Sequence, residues 1–147
     1  MGFSTYTERN VLAVRWHTLE HADIAALIER ARAQHRREGR KLLYLGVQYN
    51  DTPLPSGAVT KQIVDRSADL FGFCDSIYLV VSATGLAASL HRTALRTMMT
   101  MARLARLPDA DRALVLDSID DALSHAGAAL PLPAARLRAA MTAAGIP

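Results

Sequence analysis

Residues 3–7 and 11–16 read as two short strands, the second carried by the β-favouring Val11, Val14 and Trp16. The polar stretch Glu8-Arg9-Asn10 between them predicts a hairpin. The period then changes. Asp23, Ile24, Leu27, Ile28 and Ala31 recur at helical spacing and predict a helix over roughly 19–37. Arg32, Arg36 and Arg37 suit the negative end of its dipole, and Gly39 ends it. Lys41 to Gln48 is a mostly apolar run and predicts a buried strand. Pro53, Pro55 and Gly57 make residues 49–57 a loop. Val59, Ile63, Val64, Ala68 and Phe71 then mark a helix over about 58–72. Ser76 to Ser82 is a second buried strand, and Gly85 turns the chain into a long helix over about 86–106, stopped by Pro108. Ala113 to Leu116 is a short strand. Ser118 caps a helix over 119–126 that Gly127 closes. Leu130-Pro-Leu-Pro133 is a semi-rigid connector to a last helix over 134–144, with Leu137 and Met141 one turn apart. So short a helix is not stable alone and must dock on its own domain or on a partner.

This order predicts an α/β fold: a mixed sheet of four or five strands, opened by the N-terminal hairpin, with helices packed on it. The length of 147 residues, half of them hydrophobic, fits one globular domain with a real core. Its body is placed at 1–129, with 130–147 as connector and docking helix. A net charge of +3 and only 5% aromatics do not suit a nucleic-acid binder. The single cysteine, Cys74, excludes an internal disulfide and a cysteine-based zinc site. The N-terminus lacks a signal-peptide layout, and Tyr6 stands where a myristoylation frame wants a hydroxyl residue. No apolar run approaches the ~18 residues of a membrane span. The expected location is the cytoplasm.

The chemistry is sparse. Neither the dinucleotide fingerprint nor the P-loop occurs, so no cofactor is expected. His17 and His21 are not placed inside one helix, and no metal site is expected. His35, His91 and His125 read as surface or helix-end residues. Asp120-Asp121 opens a helix, and Asp109 and Asp111 follow Pro108, so capping and turn roles account for them. No nucleophile elbow marks a catalytic set, and the chain is read as non-enzymatic.

Three segments stand out. Loop 49–57 leaves a buried strand and enters a helix, where ligands and partners meet α/β proteins. It offers Asp51, Thr52, Ser56 and Gly57 for phosphorylation or partner binding. Ser56 also suits a helix N-cap, and a phosphate there would add about −2 charge at a positive helix end. Loop 82–85 leaves the neighbouring strand in the same sense. Asn50, Ser82, Thr84 and Gly85 are thus candidates for a ligand cleft between the two loops. Helix 86–106 carries an apolar stripe wider than one sheet face requires, rich in methionine. Met98, Met99, Met101, Arg92 and Arg96 are its interface candidates, for a homodimer or a protein partner. The basic excess gathers around Arg30, Arg32, Arg36, Arg37, Arg40 and Lys41, as a solvated helix end or a patch for an acidic partner or phospholipid.

The order and spacing of these elements resemble the STAS family, in its SpoIIAA-like bacterial branch, over residues 3–127. The phrase ALVLDSIDDAL is similar to that family's short strand and acidic helix start. The family's switch loop is an Asp-Ser-Ser-Gly-like turn with a phosphorylated serine. Here the equivalent stretch, Asp51 to Gly57, keeps an Asp-hydroxyl pair and a Ser-Gly pair but is split by Pro-Leu-Pro, and the preceding strand lacks the usual Asp. The resemblance implies a regulatory module of partner-switching type that meets a kinase-like or regulatory protein through loop 49–57. The alternative is a small-molecule or lipid-binding module using the cleft between the two loops, with the Met-rich helix as an apolar wall.

Overall fold

The structure, a computed structural model, describes residues 2–147. Five strands are present: β1 (Phe3–Glu8), β2 (Val11–Trp16), β3 (Leu42–Gln48), β4 (Cys74–Val81) and β5 (Ala113–Leu116). The helices are α1 (His21–Glu38), α2 (Gly57–Phe73), α3 (Gly85–Leu104), α4 (Ile119–Ala126) and α5 (Ala134–Ala143). Short 3-10 turns precede β5 and follow α4. No helix among the described residues is long and apolar enough to cross a membrane.

The strands form one mixed sheet in the order β1-β2-β3-β4-β5. The hairpin pair β1 and β2 is antiparallel, and every later pair is parallel. Strand order follows chain order, and α1 and α2, with Met99 of α3, pack on one face. The three crossovers therefore share one hand, as parallel connections do.

Period-2 geometry assigns the side chains to faces. Leu12, Val14, Trp16, Tyr44 and Ile77 point toward the α1–α3 layer, where they meet Ile24, Leu27, Val59 and Phe71. Val11, Ala13, Leu43, Leu45, Val47, Tyr78 and Val80 point the other way. There they meet Ile119 and Leu123 of α4 and Leu137 and Met141 of α5, with Ile146 beyond. The last helix thus docks on its own sheet.

Side-chain hydrogen bonds lock the ends of these elements. Gln34 of α1 donates through Nε2 to the carbonyls of Arg9 and Val11, both at 2.8 Å, and clamps the hairpin to the helix. Asp23 accepts from the Thr18 hydroxyl at 2.6 Å, the Glu20 N–H at 3.0 Å and the Gly2 N–H at 3.1 Å. Burial works against its charge, but these donors hold its carboxyl below the usual range. Ser118 caps α4 by accepting from the Asp121 N–H, and Gly39 ends α1 at a left-handed φ of 66°.

Replacing Gln34 with leucine leaves two sheltered carbonyls without their donor. Gln34→Leu should cost about 1–3 kcal/mol, measured by urea unfolding, with the fold retained by circular dichroism. A loss below a few tenths would show that water replaces the amide there.

Candidate functional site

Loop 49–57 spends most of its polar groups on its own structure. Thr52 is only 4% exposed. Its Oγ1 accepts from the Tyr49 N–H at 2.9 Å and donates to the Trp16 carbonyl at 3.2 Å. This corrects its expected place: the hydroxyl faces the interior, beyond a kinase's reach. Asp51 pairs with Arg15 at 3.0 Å. The same guanidinium lies over the Tyr49 ring at 4.5 Å and donates to the Gly145 carbonyl at 3.1 Å. Ser56 is exposed, and its Oγ accepts from the Val59 N–H at 3.2 Å as the N-cap of α2. Gly57 opens α2 with free space where a side chain would stand.

The expected cleft between the two loops is bridged. The Thr84 N–H donates to Asn50 Oδ1 at 2.9 Å, and Asn50 Nδ2 reaches Thr84 Oγ1 at 3.4 Å. The Ser82 N–H donates to the Gln48 carbonyl at 2.8 Å and prolongs the β3–β4 pairing. Gly85 takes a φ of 60° that only glycine adopts easily. These residues join the loops across their gap, and apart from Gln48 none of them lines the space that remains.

That space is a cavity of about 150 Å³ between the sheet and the α1–α3 layer. Trp16, Tyr44, Gln48, Ile77 and Leu79 line it from the strands. Ile24 and Leu27 of α1, Ile63, Val64 and Phe71 of α2 and Leu95 of α3 close it from the helices. Ala94, Ala102, Ala110 and Ala113 stand in its wall, where longer side chains would fill it. The partly exposed Arg66 and Leu70 of α2, with Met98 and Met99 of α3, mark where the wall reaches the surface between these helices.

Met98 and Met99, two of the interface candidates, are partly buried and also stand in the cavity wall. Met101 is exposed, Arg96 is exposed, and Arg92 pairs with Asp117 at 2.9 Å. The apolar residues that do stand out on α3 are Leu86, 75% exposed, Leu104, 78% exposed, and Leu90 between them.

Two polar residues of the cavity carried no signal in the sequence. Gln48, 6% exposed, ends β3. His91, 5% exposed, lies on the inner side of α3, which corrects its expected surface position. Burial holds its imidazole below the usual histidine range, partly opposed by a hydrogen bond to the Thr52 backbone. Burial also raises the Tyr44 phenol well above its usual value. The lining is therefore uncharged at neutral pH except for Arg66, whose Nε binds Asp69 at 2.8 Å. Cys74 is buried and its thiol is pushed up to about 12, which leaves it unreactive.

Comparison of the chain with known proteins found no matching family model, no matching curated protein and no matching solved structure.

Two outcomes follow from this geometry. Ser56→Ala should cost ~1 kcal/mol while Ser56→Asp retains most of the cap, read by chemical unfolding of both variants; equal stability of all three proteins would remove the capping role. For His91, the unfolded imidazole takes its proton near pH ~6.5, and the buried one only at lower pH. The unfolded chain binds more protons in that window. Stability is thus complete above ~6.5 and falls as pH drops through the lowered folded value. Unfolding free energies against pH should show this slope in the parent, and His91→Leu should flatten it.

Proposed function

We propose that this protein is a small-molecule binding module, holding a compact apolar molecule between its sheet and the α1–α3 layer. The observation that carries this reading is the cavity of about 150 Å³, walled almost wholly by apolar side chains. Protein interiors are close-packed and leave few voids larger than a water molecule. An apolar cavity near this size stays dry and accepts a benzene-sized guest. Burying a guest's apolar surface there supplies the affinity, at roughly 25 cal/mol per Å² before the costs of association. Flexible Met98 and Met99 at the wall can move aside to admit it.

A STAS-like regulatory role, switched through a protein partner, is the second reading. The hairpin start, the succession of crossover helices and the acidic opening of α4 support it. So does the exposed Ser56 hydroxyl at the positive end of α2, beside Leu54, which stands 45% exposed. Phosphorylation there would exchange a neutral cap for a dianion where the helix favours one.

Filling the cavity tests the first reading. Ala94→Leu, on the wall from α3, should raise stability by about 0.5–2 kcal/mol, as cavity-filling substitutions do. The same change should abolish binding of toluene, followed by NMR shifts of cavity methyl groups and by the rise in melting temperature. Absence of toluene binding in the parent protein, with Ala94→Leu destabilising, would show that the space is closed in solution.

A further inference from the structure

We infer that the outer face of α3 docks on an anionic phospholipid surface, laying its exposed leucines at the bilayer boundary with the rim of the cavity beside them. The contact itself does not depend on the cavity. Its use, to let an apolar guest pass between lipid and cavity, rests on the ligand-binding reading.

The buried residues of α3 are Ala88, His91, Leu95 and Ala102. At ~100° per residue, Leu86 and Leu104 fall opposite that row, on one line about five turns apart. Both stand out into solvent, and Leu90 and Met101 are exposed beside them. Single exposed leucines need no explanation, but four apolar residues along one helix form a patch, and patches mark contact surfaces. Between the leucines, Thr97 and Thr100 spend their hydroxyls on the carbonyls of Thr93 and Arg96, both at 2.9 Å. The patch also runs into the cavity wall. Leu90 lies one turn before Ala94, and Met101 one turn after Met98, and both Ala94 and Met98 line the cavity.

Charge decides what covers this face. Between Asp75 and Asp109 the chain carries Arg92, Arg96, Arg103 and Arg106 and no acidic residue. Arg92 and Arg103 border the patch on the β5 side, where they pair with Asp117 at 2.9 Å and Asp111 at 3.4 Å. Both carboxylates are exposed, and ion pairs of this kind are weak enough for a lipid phosphate to replace them. Arg96 and Arg106 are exposed as well. On the α2 side the acids are balanced, Asp65 by Lys61 and Asp69 by Arg66. An apolar row bordered by arginines is the pattern of a helix that lies in a membrane interface, its arginine stems reaching toward the headgroups. A second copy on the same face would set two acid-free, arginine-bearing helices against each other, where like charges repel.

Vesicle flotation tests this with the full chain and no added guest. One vesicle is phosphatidylcholine alone, the other phosphatidylcholine and phosphatidylglycerol in equal parts. The parent should bind the mixed vesicles about tenfold or more tightly than the neutral ones, and salt should weaken the binding. Arg96→Gln and Arg103→Gln should each lower the affinity about fivefold. Leu86→Asn and Leu104→Asn together should lower it about tenfold or more. All four side chains are exposed, so the urea midpoints of these variants should match the parent. Arg36→Gln with Arg40→Gln, at the basic end of α1, should bind as the parent does. Absence of binding to the mixed vesicles, equal binding to neutral ones, or a loss on changing Arg36 and Arg40 but not α3 would overturn the inference. A dimer by light scattering that the double leucine variant splits, with no vesicle binding, would overturn it in favour of a second copy. None of these outcomes bears on toluene binding, so the ligand reading stands or falls separately.

Discussion

Every residue of β3 is buried, because parallel strands lie on both sides of it and helices cover both its faces. A parallel sheet of this kind cannot leave a face in water, since its strands carry apolar side chains in both directions. The crossovers from β2 to β5 supply α1, α2 and α3 on one side only. The opposite face has to be covered by what remains of the chain. That constraint gives the C-terminal third its purpose: α4 and α5 bring Leu123, Leu137 and Met141 over Leu43, Leu45 and Val47. A ten-residue helix that would be marginal alone is held because the sheet needs its apolar side.

The two layers are filled differently. Under α4 and α5 the largest side chains, among them Leu45, Leu123, Leu137 and Met141, are fully buried. Under α1–α3 the walls include four alanines, and space remains. Unfilled space forfeits dispersion contacts and destabilises the fold, so a cavity of this size is tolerated at a cost. The helices that bound it are joined to the strands by loops 49–57 and 82–85, which the Asn50–Thr84 contacts hold together. Of the residues in these two loops, only Pro55 reaches the cavity wall, which extends to Ala110 and Ala113 at the start of β5.

Loop 49–57 illustrates how local structure competes with function for the same side chains. Its hydroxyls and carboxylate looked available for modification or recognition. Thr52 instead ties the loop to β2 through the Trp16 carbonyl, Asp51 holds Arg15, and Ser56 caps α2. Of these, Ser56 alone keeps its hydroxyl at the surface. A polar residue in a tight loop serves the backbone first, because unpaired N–H and C=O groups there are more costly than an idle side chain.

The chain's local patterns carried the architecture. Helical spacing in α1, apolar runs at β3 and β4, and the stops at Gly39, Pro108 and Gly127 placed each element within two residues of its observed bounds. Ser56 and Ser118 were legible as caps, since capping depends on neighbours a few residues away. The cavity was not legible. Its wall draws on β2, β3, β4, β5 and three helices, and a missing contact leaves no mark in any one segment's periodicity. Gln48 read as the end of a strand and His91 as a helix surface residue, because their burial depends on how α3 settles over β3 and β4. The apolar stripe of α3 was legible, but which of its residues turn inward was not. Met98 and Met99 face the cavity, and Leu86 and Leu104 face solvent. Sequence determined the elements, their order and their caps, for these arise from interactions between near neighbours. Tertiary structure alone decided which polar groups are enclosed and where space is left, because both depend on the distance between surfaces far apart in the chain.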